Sequence, residues 1–392
     1  MKLTRVAILG STGSVGRQTL DVIRSMPGRF NVVALAAGNN VTTLEEQARE
    51  FKPRMLFCDR ESEYIEKRIS DGSLTGKWAR MEEMASHRDV DLVVVATVGA
   101  TGLGPSLAAA RAGKKIALAN KEVLVMAGHI ITAEAKRHGA ELRPVDSEHS
   151  AIWQCLWGES PESVERLLIT ASGGALRDVS PEQLERVTAE QALRHPNWQM
   201  GKKITVDSAT LLNKGLECIE ARWLFDVPLE RIEVVLHRES IVHSLVEFRD
   251  GSVKAQLGVP DMRLPIQCAL TYPERVAEAN VPRLDLTSIG TLNFGVPNHA
   301  QFPCLTLALE AGKRGGTAPA VLAAADEIAV ENFLAGYVRF TEIAQVIQNT
   351  LDAHEAIGNP SLEQVLAADA WARTYADGVV KKSGTPVRTY SR

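Results

Sequence analysis

No run of about eighteen apolar residues occurs in this chain, so no helix is expected to cross a membrane. Nor is there a basic block or an acidic tail: 44 Lys+Arg stand against 48 Asp+Glu for a net charge of −4, which implies neither nucleic acid nor an anionic membrane surface as a partner. The five cysteines, Cys58, Cys155, Cys218, Cys268 and Cys304, contain no CxxC pair and are odd in number. That argues against a zinc knuckle and a disulfide framework and suits a reduced, cytoplasmic protein. The first apolar stretch, 6–9, is too short for the core of a secretion signal and runs straight into glycines. What remains is a 392-residue chain of ordinary globular composition, 45% hydrophobic and 23% charged, long enough for two or three domains. Small-molecule chemistry is the default expectation.

Residues 6–9 read as a short buried strand. It enters Gly10-Ser11-Thr12-Gly13-Ser14-Val15-Gly16 and then 17–26, where Thr19, Val22, Ile23 and Met26 keep helical spacing. Between a strand and a helix such a turn is a phosphate-binding fingerprint: glycines let the backbone approach a pyrophosphate, and the helix start offers N–H donors. Elsewhere the same trio is a plain turn. A second strand, 31–36, ends at Ala37-Gly38-Asn39-Asn40, without the acid that would hold the adenosine ribose of NAD, so NADPH is the expected cofactor. Helix 42–51, strand 54–57, a charged helical stretch 61–85, strand 91–96, helix 105–112, strand 115–118, helix 122–138 and strand 141–145 follow. This α/β alternation predicts a parallel sheet covered on both faces, a Rossmann-like NADPH-binding domain over 1–150.

Two stretches fall at the carboxyl ends of predicted strands, where parallel sheets bind ligands. Asn120-Lys121-Glu122 follows strand 115–118; Lys121 could meet substrate oxygens or be a solvated charge. Pro144-Val145-Asp146-Ser147-Glu148-His149-Ser150-Ala151-Ile152 follows strand 141–145. On an extended backbone Asp146 and Glu148 would project to one side, and two such carboxylates call for a cation, magnesium or manganese rather than zinc. Alternatively Asp146 or Ser147 caps the next helix and Glu148 complements its dipole.

Beyond the 144–152 stretch the signal changes character. Strand 165–170 leads into Ala171-Ser172-Gly173-Gly174, either an anion-binding nest with a hydroxyl or a simple turn. An amphipathic helix is expected over 181–193. Segment 194–203 has no period and places Trp198 and Met200 among Pro and Gly; we read it as a lid that closes over a ligand, the alternative being a loop pinned by Trp198. From Thr210 onward Leu211, Leu212, Leu216 and Ile219 keep helical spacing, so Asn213 and Glu217 share a face with Lys214 beside Glu217. Asn and Lys suit a phosphate, and Glu217 suits a third oxygen ligand; an exposed Glu–Lys pair would look the same. Strands 232–236, 242–248 and 253–257 follow, the last two joined by an Asp250-Gly251 hairpin turn. His243 reads as structural, and 260–265 as a rigid turn. Segment 283–303 reads as a connecting arm and 304–392 as a C-terminal helical bundle, with helices at 305–312, 318–333, 341–350 and 362–375.

Taken in order, the motifs resemble the 1-deoxy-D-xylulose 5-phosphate reductoisomerase family over nearly the whole chain. They are GSTGSVG at 10–16, LANKE at 118–122, PVDSEHSAI at 144–152, SGG at 172–174, RHPNWQMGKKITVDSATLLNKGLECIEARWLF at 194–225 and QLGVPDMR at 256–263. The resemblance implies a central α/β catalytic domain over 151–282, and a homodimer that rearranges a sugar phosphate by retro-aldol cleavage and re-addition, then reduces it with NADPH. It assigns Asp146, Glu148 and Glu217 to a divalent magnesium or manganese ion. It assigns Lys121, Ser147, Glu148, Ser172, His195, Ser208, Asn213, Lys214 and Glu217 to the substrate, with Ser172, Ser208, Asn213 and Lys214 around the phosphate. Thr12, Gly13, Ser14, Val15, Gly38, Asn39, Asn40, Asn120, Glu122 and Gly201 would line the cofactor site. Lys121, Glu148 and His195 are the catalytic candidates.

One position departs from the family. Asn39 stands where members often carry a basic residue near the extra phosphate of the cofactor, so NADPH binds more weakly here or another group supplies the charge. Two rival readings fit part of the chain. An NADP-linked dehydrogenase of another small phosphorylated substrate would want a cysteine nucleophile in a polar site, whereas Cys155 and Cys218 fall among apolar helix positions. A non-catalytic NADPH sensor would not need three carboxylates and an anion cluster.

Overall fold

The computed structural model describes residues 3–277 and 281–383. The chain divides into two compact units, one of Met1–Leu124, Gly128–Trp153 and Asp261–Arg283, the other of Val125–Ala127, Gln154–Pro260 and Leu284–Arg392.

The first unit is built on seven strands: β1 Thr4–Leu9, β2 Phe30–Ala37, β3 Met55–Cys58, β4 Lys77–Trp78, β5 Leu92–Val95, β6 Lys115–Leu118 and β7 Glu141–Pro144. All pairs are parallel, in the order β4-β3-β2-β1-β5-β6-β7. Near-continuous apolar runs such as Leu92–Val95 suit strands covered on both faces, and those four side chains are buried. The order reverses beside β1, so the crevice for a ligand opens where β1 and β5 end. The segments after β1, β2, β5, β6 and β7 share that carboxyl edge, which gathers Gly10–Gly16, Gly38–Asn40, Lys121 and Asp146.

The stretch 61–85 is not continuously helical: helices Ser62–Ser70 and Met81–Ser86 flank β4, whose two residues are too few for an alternating pattern. Segment 261–277, read from sequence as part of the central domain, packs on the first unit instead. Its helix Arg263–Thr271 places Ile266, Ala269 and Leu270 in the same core as Leu35 and Val94, and the buried Arg143 donates through Nη1 to the Ala269 carbonyl at 2.8 Å.

The second unit carries strands β8 Val164–Ala171, β9 Ile232–Leu236, β10 Val242–Phe248 and β11 Val253–Leu257, in the order β11-β10-β8-β9. β8 runs parallel to β9 and antiparallel to β10; β10 and β11 form the expected hairpin, with Gly251 at φ 83°. Helices Lys202–Thr210 and Leu212–Phe225 lie between β8 and β9 in sequence, and helices Pro303–Arg314, Ala318–Leu334, Glu342–Asp352 and Leu362–Ser383 complete the unit. The amphipathic helix expected at 181–193 is two four-residue helices, Pro181–Leu184 and Ala189–Ala192. Thr188 restarts the second with a capping box: Gln191 N–H donates to Thr188 Oγ1 at 3.3 Å, and Thr188 N–H to Gln191 Oε1 at 2.9 Å. Segment 194–203, expected as one aperiodic loop, is irregular only to Gly201, which is the N-cap of Lys202–Thr210, so both lysines are helical. Among the described residues no helix is long and apolar enough to cross a membrane.

Candidate functional site

In the first unit the glycine turn is shaped by contact. A Cβ on Gly10, whose φ is 91°, would lie 2.3 Å from the Ala96 carbonyl oxygen, and one on Gly16 would lie 2.3 Å from the Gly10 carbonyl oxygen. Gly13 is freer, its nearest contact at 3.4 Å, and caps helix Ser14–Ser25, whose first N–H groups have no intrahelical acceptor. Thr12 and Val15 are half-buried, Gly13 and Ser14 exposed. The turn is held by a pair the sequence reading missed: Ser11 Oγ donates to Gln47 Oε1 at 2.8 Å and Gln47 Nε2 returns a bond to the Ser11 carbonyl at 2.9 Å. Gly38, Asn39 and Asn40 are exposed at the end of β2, and Asn40 Oδ1 accepts from Thr43 N–H at 3.1 Å as a helix cap.

Asn120 is buried and works as a staple. Its Nδ2 donates to Thr97 Oγ1 (3.1 Å) and the Gly99 carbonyl (3.0 Å), while its Oδ1 accepts from Val123 N–H (3.3 Å). The turns after β5 and β6 are thereby tied together. Lys121 is not a solvated charge: it is buried, and its Nζ lies 2.6 Å from Asp146 Oδ2. Glu122 begins helix Glu122–His138.

Asp146 and Glu148 come together, though not by strand alternation. β7 stops at Pro144 and a helix begins at Ser147, so a tight strand-to-helix turn makes the juxtaposition. The two residues offer oxygens within 4.8 Å of one another. Ser147 serves both carboxylates, through its N–H to Asp146 Oδ1 (3.0 Å) and its Oγ to Glu148 Oε2 (2.6 Å). The fully buried His149 places Nδ1 4.0 Å from Asp146 Oδ2.

In the second unit β8 ends at Ala171 and opens into the Ser172-Gly173-Gly174 turn. Gly173 and Gly174 both have positive φ, and a Cβ on Gly174 would lie 2.5 Å from the Ser208 carbonyl oxygen. This turn therefore fits against the helix that carries Ser208. Gly174 N–H donates to Ser172 Oγ at 3.2 Å, and Ser172 Oγ lies 3.0 Å from His195 Nε2. His195 Nδ1 accepts the N–H groups of Asn197 (3.2 Å) and Trp198 (3.0 Å). With Nδ1 an acceptor, the proton of a neutral His195 sits on Nε2 and is donated to Ser172. The loop is further tied by Asn197 Nδ2 to Ser240 Oγ (2.8 Å), and the half-buried Trp198 ring stands 6.1 Å from His243. Gly201 closes the loop with open space about it.

Helices Lys202–Thr210 and Leu212–Phe225 meet at Leu211, a non-glycine residue in the left-handed region at φ 61°. The joint was not foreseen; it brings Ser208 and the next helix into one buried patch. Asn213 Nδ2 donates to Glu217 Oε1 at 2.5 Å and Lys214 Nζ to Glu217 Oε2 at 2.8 Å, with Glu217 only 1% exposed. The expected one-turn geometry is present, and the exposed-pair alternative is not. Lys203 bridges two more buried carboxylates, Asp207 Oδ2 at 2.7 Å and Asp326 Oδ2 at 2.6 Å. All five cysteines are free and buried, and burial pushes the Cys218 and Cys304 thiols well above the ordinary range, so neither resembles a dehydrogenase nucleophile.

A parallel sheet with a glycine turn after its first strand, and a buried lysine–carboxylate pair on the same edge, is the arrangement of a dinucleotide-dependent oxidoreductase. Comparison narrows the class. Models of 1-deoxy-D-xylulose 5-phosphate reductoisomerase match residues 6–128 and, for its C-terminal domain, 142–225, and a model of the DXP reductoisomerase C-terminal domain matches 257–375. The chain belongs to the 1-deoxy-D-xylulose 5-phosphate reductoisomerase family. It is 52% identical to the enzyme so named from Pelotomaculum thermopropionicum over 97% of this chain and 99% of that one, and 54% identical to a Geobacillus counterpart over 94% and 98%. Among solved structures, a DOX-P reductoisomerase in complex with NADPH, fosmidomycin and magnesium matches with a TM-score of 0.93 and 42% identity, covering 98% of this chain and all of that one. The Zymomonas mobilis enzyme in complex with NADPH matches at 0.89 and 41%, covering 97% and all of the two chains.

Proposed function

We propose that the protein isomerises and reduces 1-deoxy-D-xylulose 5-phosphate to 2-C-methyl-D-erythritol 4-phosphate, using NADPH and a divalent metal, in non-mevalonate isoprenoid precursor biosynthesis. The observation that carries this reading is the buried Lys121–Asp146 pair with the Glu148 carboxylate beside it, on the edge of a dinucleotide-binding sheet.

The residues fit both groups. Asp146 and Glu148, with Glu217 as the proposed third ligand, form an all-oxygen donor set for magnesium or manganese. The Gly10–Gly16 turn offers bare backbone and helix N–H groups to a pyrophosphate, and the end of β2 has no acid to hold an unphosphorylated ribose. When bound, the metal supplies Lewis acidity at two adjacent substrate oxygens and NADPH supplies the hydride.

The chain's own side chains divide the remaining work. Lys121, already a donor in a buried site, donates to a substrate oxygen, and Glu148 accepts a proton from a substrate hydroxyl. Ser172, Ser208, Asn213 and Lys214 hold the phosphate and so orient the reacting carbons from a distance. His195 presents Nε2–H on the same side as Ser172, and the 194–201 loop with Trp198 and Met200 keeps water from the reactive intermediate. Residues 1–150, with 261–277 packed on them, serve as the cofactor-binding part, 151–260 as the catalytic part and 304–392 as its helical support. Glu217→Gln and Lys121→Ala are each expected to lower kcat/KM by roughly two to four orders of magnitude while NADPH binding, followed by fluorescence, persists. Full turnover in Glu217→Gln would remove it from the metal site.

The protein is further proposed to be a cytoplasmic homodimer. Its reduced, buried cysteines suit that compartment. In the arm, Leu286 is 55%, Phe294 52% and Val296 84% exposed, an apolar surface of the kind a second copy covers.

A further inference from the structure

The proposed cofactor carries a phosphate on its adenosine ribose, and position 39, which lies near it, holds a neutral asparagine. That dianion is best held by a cation, and arginine suits it most because its planar fork donates two parallel hydrogen bonds to phosphate oxygens. At the end of β2, where the adenosine ribose lies in such sheets, Gly38, Asn39 and Asn40 are all neutral. Asn40 is further committed, its Oδ1 accepting from Thr43 N–H.

The neighbouring strand supplies the missing charge. β2 and β3 pair in parallel up to Ala37 beside Cys58, and the ladder continues past both strands. Asp59 N–H donates to the Ala37 carbonyl at 3.0 Å and Arg60 N–H donates to the Gly38 carbonyl at 3.0 Å. The backbone of Arg60 is thus docked on that of Gly38 at the spacing of adjacent strands, about 4.8 Å. Arg60 is exposed, and among the described residues its guanidinium makes no hydrogen bond or ion pair. Other cations of this region are spent or placed elsewhere: Arg49 and Arg68 are both bound by Glu45. Lys52 and Lys67 belong to the ends of helices that run back toward the opposite edge of the sheet. The Asp59 carboxylate beside Arg60 disfavours an anion, so the attraction must come from the guanidinium itself.

We propose that Arg60 binds the ribose phosphate of NADPH and sets the preference for the phosphorylated cofactor, in place of a basic side chain at position 39. The inference rests on the NADPH reading, and the test separates the two. Calorimetric titration of the cofactor-free protein with 2′,5′-ADP and with 5′-AMP isolates the one phosphate. The native protein is expected to bind 2′,5′-ADP more tightly. Arg60→Ala should weaken 2′,5′-ADP by roughly ten- to a hundredfold and leave 5′-AMP unchanged, which also reports an intact fold. Asn39→Lys placed in the Arg60→Ala background should recover most of the loss. Unaltered 2′,5′-ADP affinity in Arg60→Ala, or a loss that follows Arg17→Ala in the first helix instead, overturns the assignment. Equal affinity of the native protein for the two nucleotides overturns the NADPH reading itself.

Discussion

Glu217 shows what single residues decide in this molecule. It is 1% exposed, and Lys214 and Asn213 both donate to its carboxyl group, which offsets the cost of burying it. Replacing Lys214 by Met breaks this buried pair, and a loss of about 3 kcal/mol in urea-determined stability is expected. A loss under about 0.5 kcal/mol, the size of a surface pair, would contradict the buried clamp. The thiols give a second residue-scale prediction. All five are buried, Cys218 and Cys304 are pushed up by desolvation, and burial raises Cys268 to about 11. An aromatic disulfide reagent at pH 8 should therefore titrate none of them in the native protein and all five after unfolding. A fast-reacting native thiol would revive the cysteine-nucleophile alternative. Much at this scale was legible in the sequence. The Asn213–Glu217 and Lys214–Glu217 contacts are local, set by helical spacing alone. Gln47 beneath the glycine turn, and Asp326 on Lys203, were hidden because nothing in a linear pattern brings distant positions together.

Elements fold here by turns that tolerate only certain residues. Gly174 has φ 72°, and an added Cβ would meet Ser208 backbone at 2.5 Å. Gly174→Ala is expected to cost roughly 2–4 kcal/mol from overpacking and the left-handed backbone together, and, on the proposed assignment of this turn to the substrate phosphate, to raise KM because the turn then moves off the Ser208 helix. Gly38 has open space where its Cβ would be, so Gly38→Ala should leave the melting temperature nearly unchanged. Helices Val41–Phe51 and Ser62–Ser70 are tied through Glu45, where desolvation is outweighed by Arg68 and Tyr64 and the pKa is lowered from 4.5. A carboxylate with a depressed folded pKa stabilises above its unfolded value and loses that contribution as pH falls through the folded one. Stability should therefore drop below about pH 4.5, and less steeply in Glu45→Gln, as followed by thermal melts across that window. Strand and helix positions were readable because their periods are strong: β6 and helix Glu122–His138 fall where the pattern puts them. The 181–193 segment was not, because one apolar stripe spans two short helices and only Thr188, an N-cap, marks the break. Asp146 and Glu148 were paired in the sequence for a reason the structure replaces, a turn into a helix instead of an extended strand.

At the scale of the whole molecule, the expected three parts appear as two compact units. Segment 261–277 returns to the first unit, a long-range packing choice that carries no local signature, and the helices from Pro303 on share one unit with the β8–β11 sheet. The parallel sheet is what makes the first unit a site: its topology delivers the glycine turn, Lys121 and Asp146 to one edge from segments spread over more than a hundred residues. If the exposed arm is a dimer contact, Phe294→Glu with Val296→Glu should shift the protein to monomer in sedimentation at micromolar concentration. A native protein that already sediments as a monomer there would contradict the homodimer.

The most direct test of the central claim is the loss of NADPH absorbance on adding 1-deoxy-D-xylulose 5-phosphate, with magnesium or manganese present and then with chelator. The account predicts one NADPH consumed per 2-C-methyl-D-erythritol 4-phosphate formed, turnover abolished by chelator and restored by excess metal. Tight NADPH binding without turnover on this substrate under any divalent metal, or turnover indifferent to chelator, would contradict it.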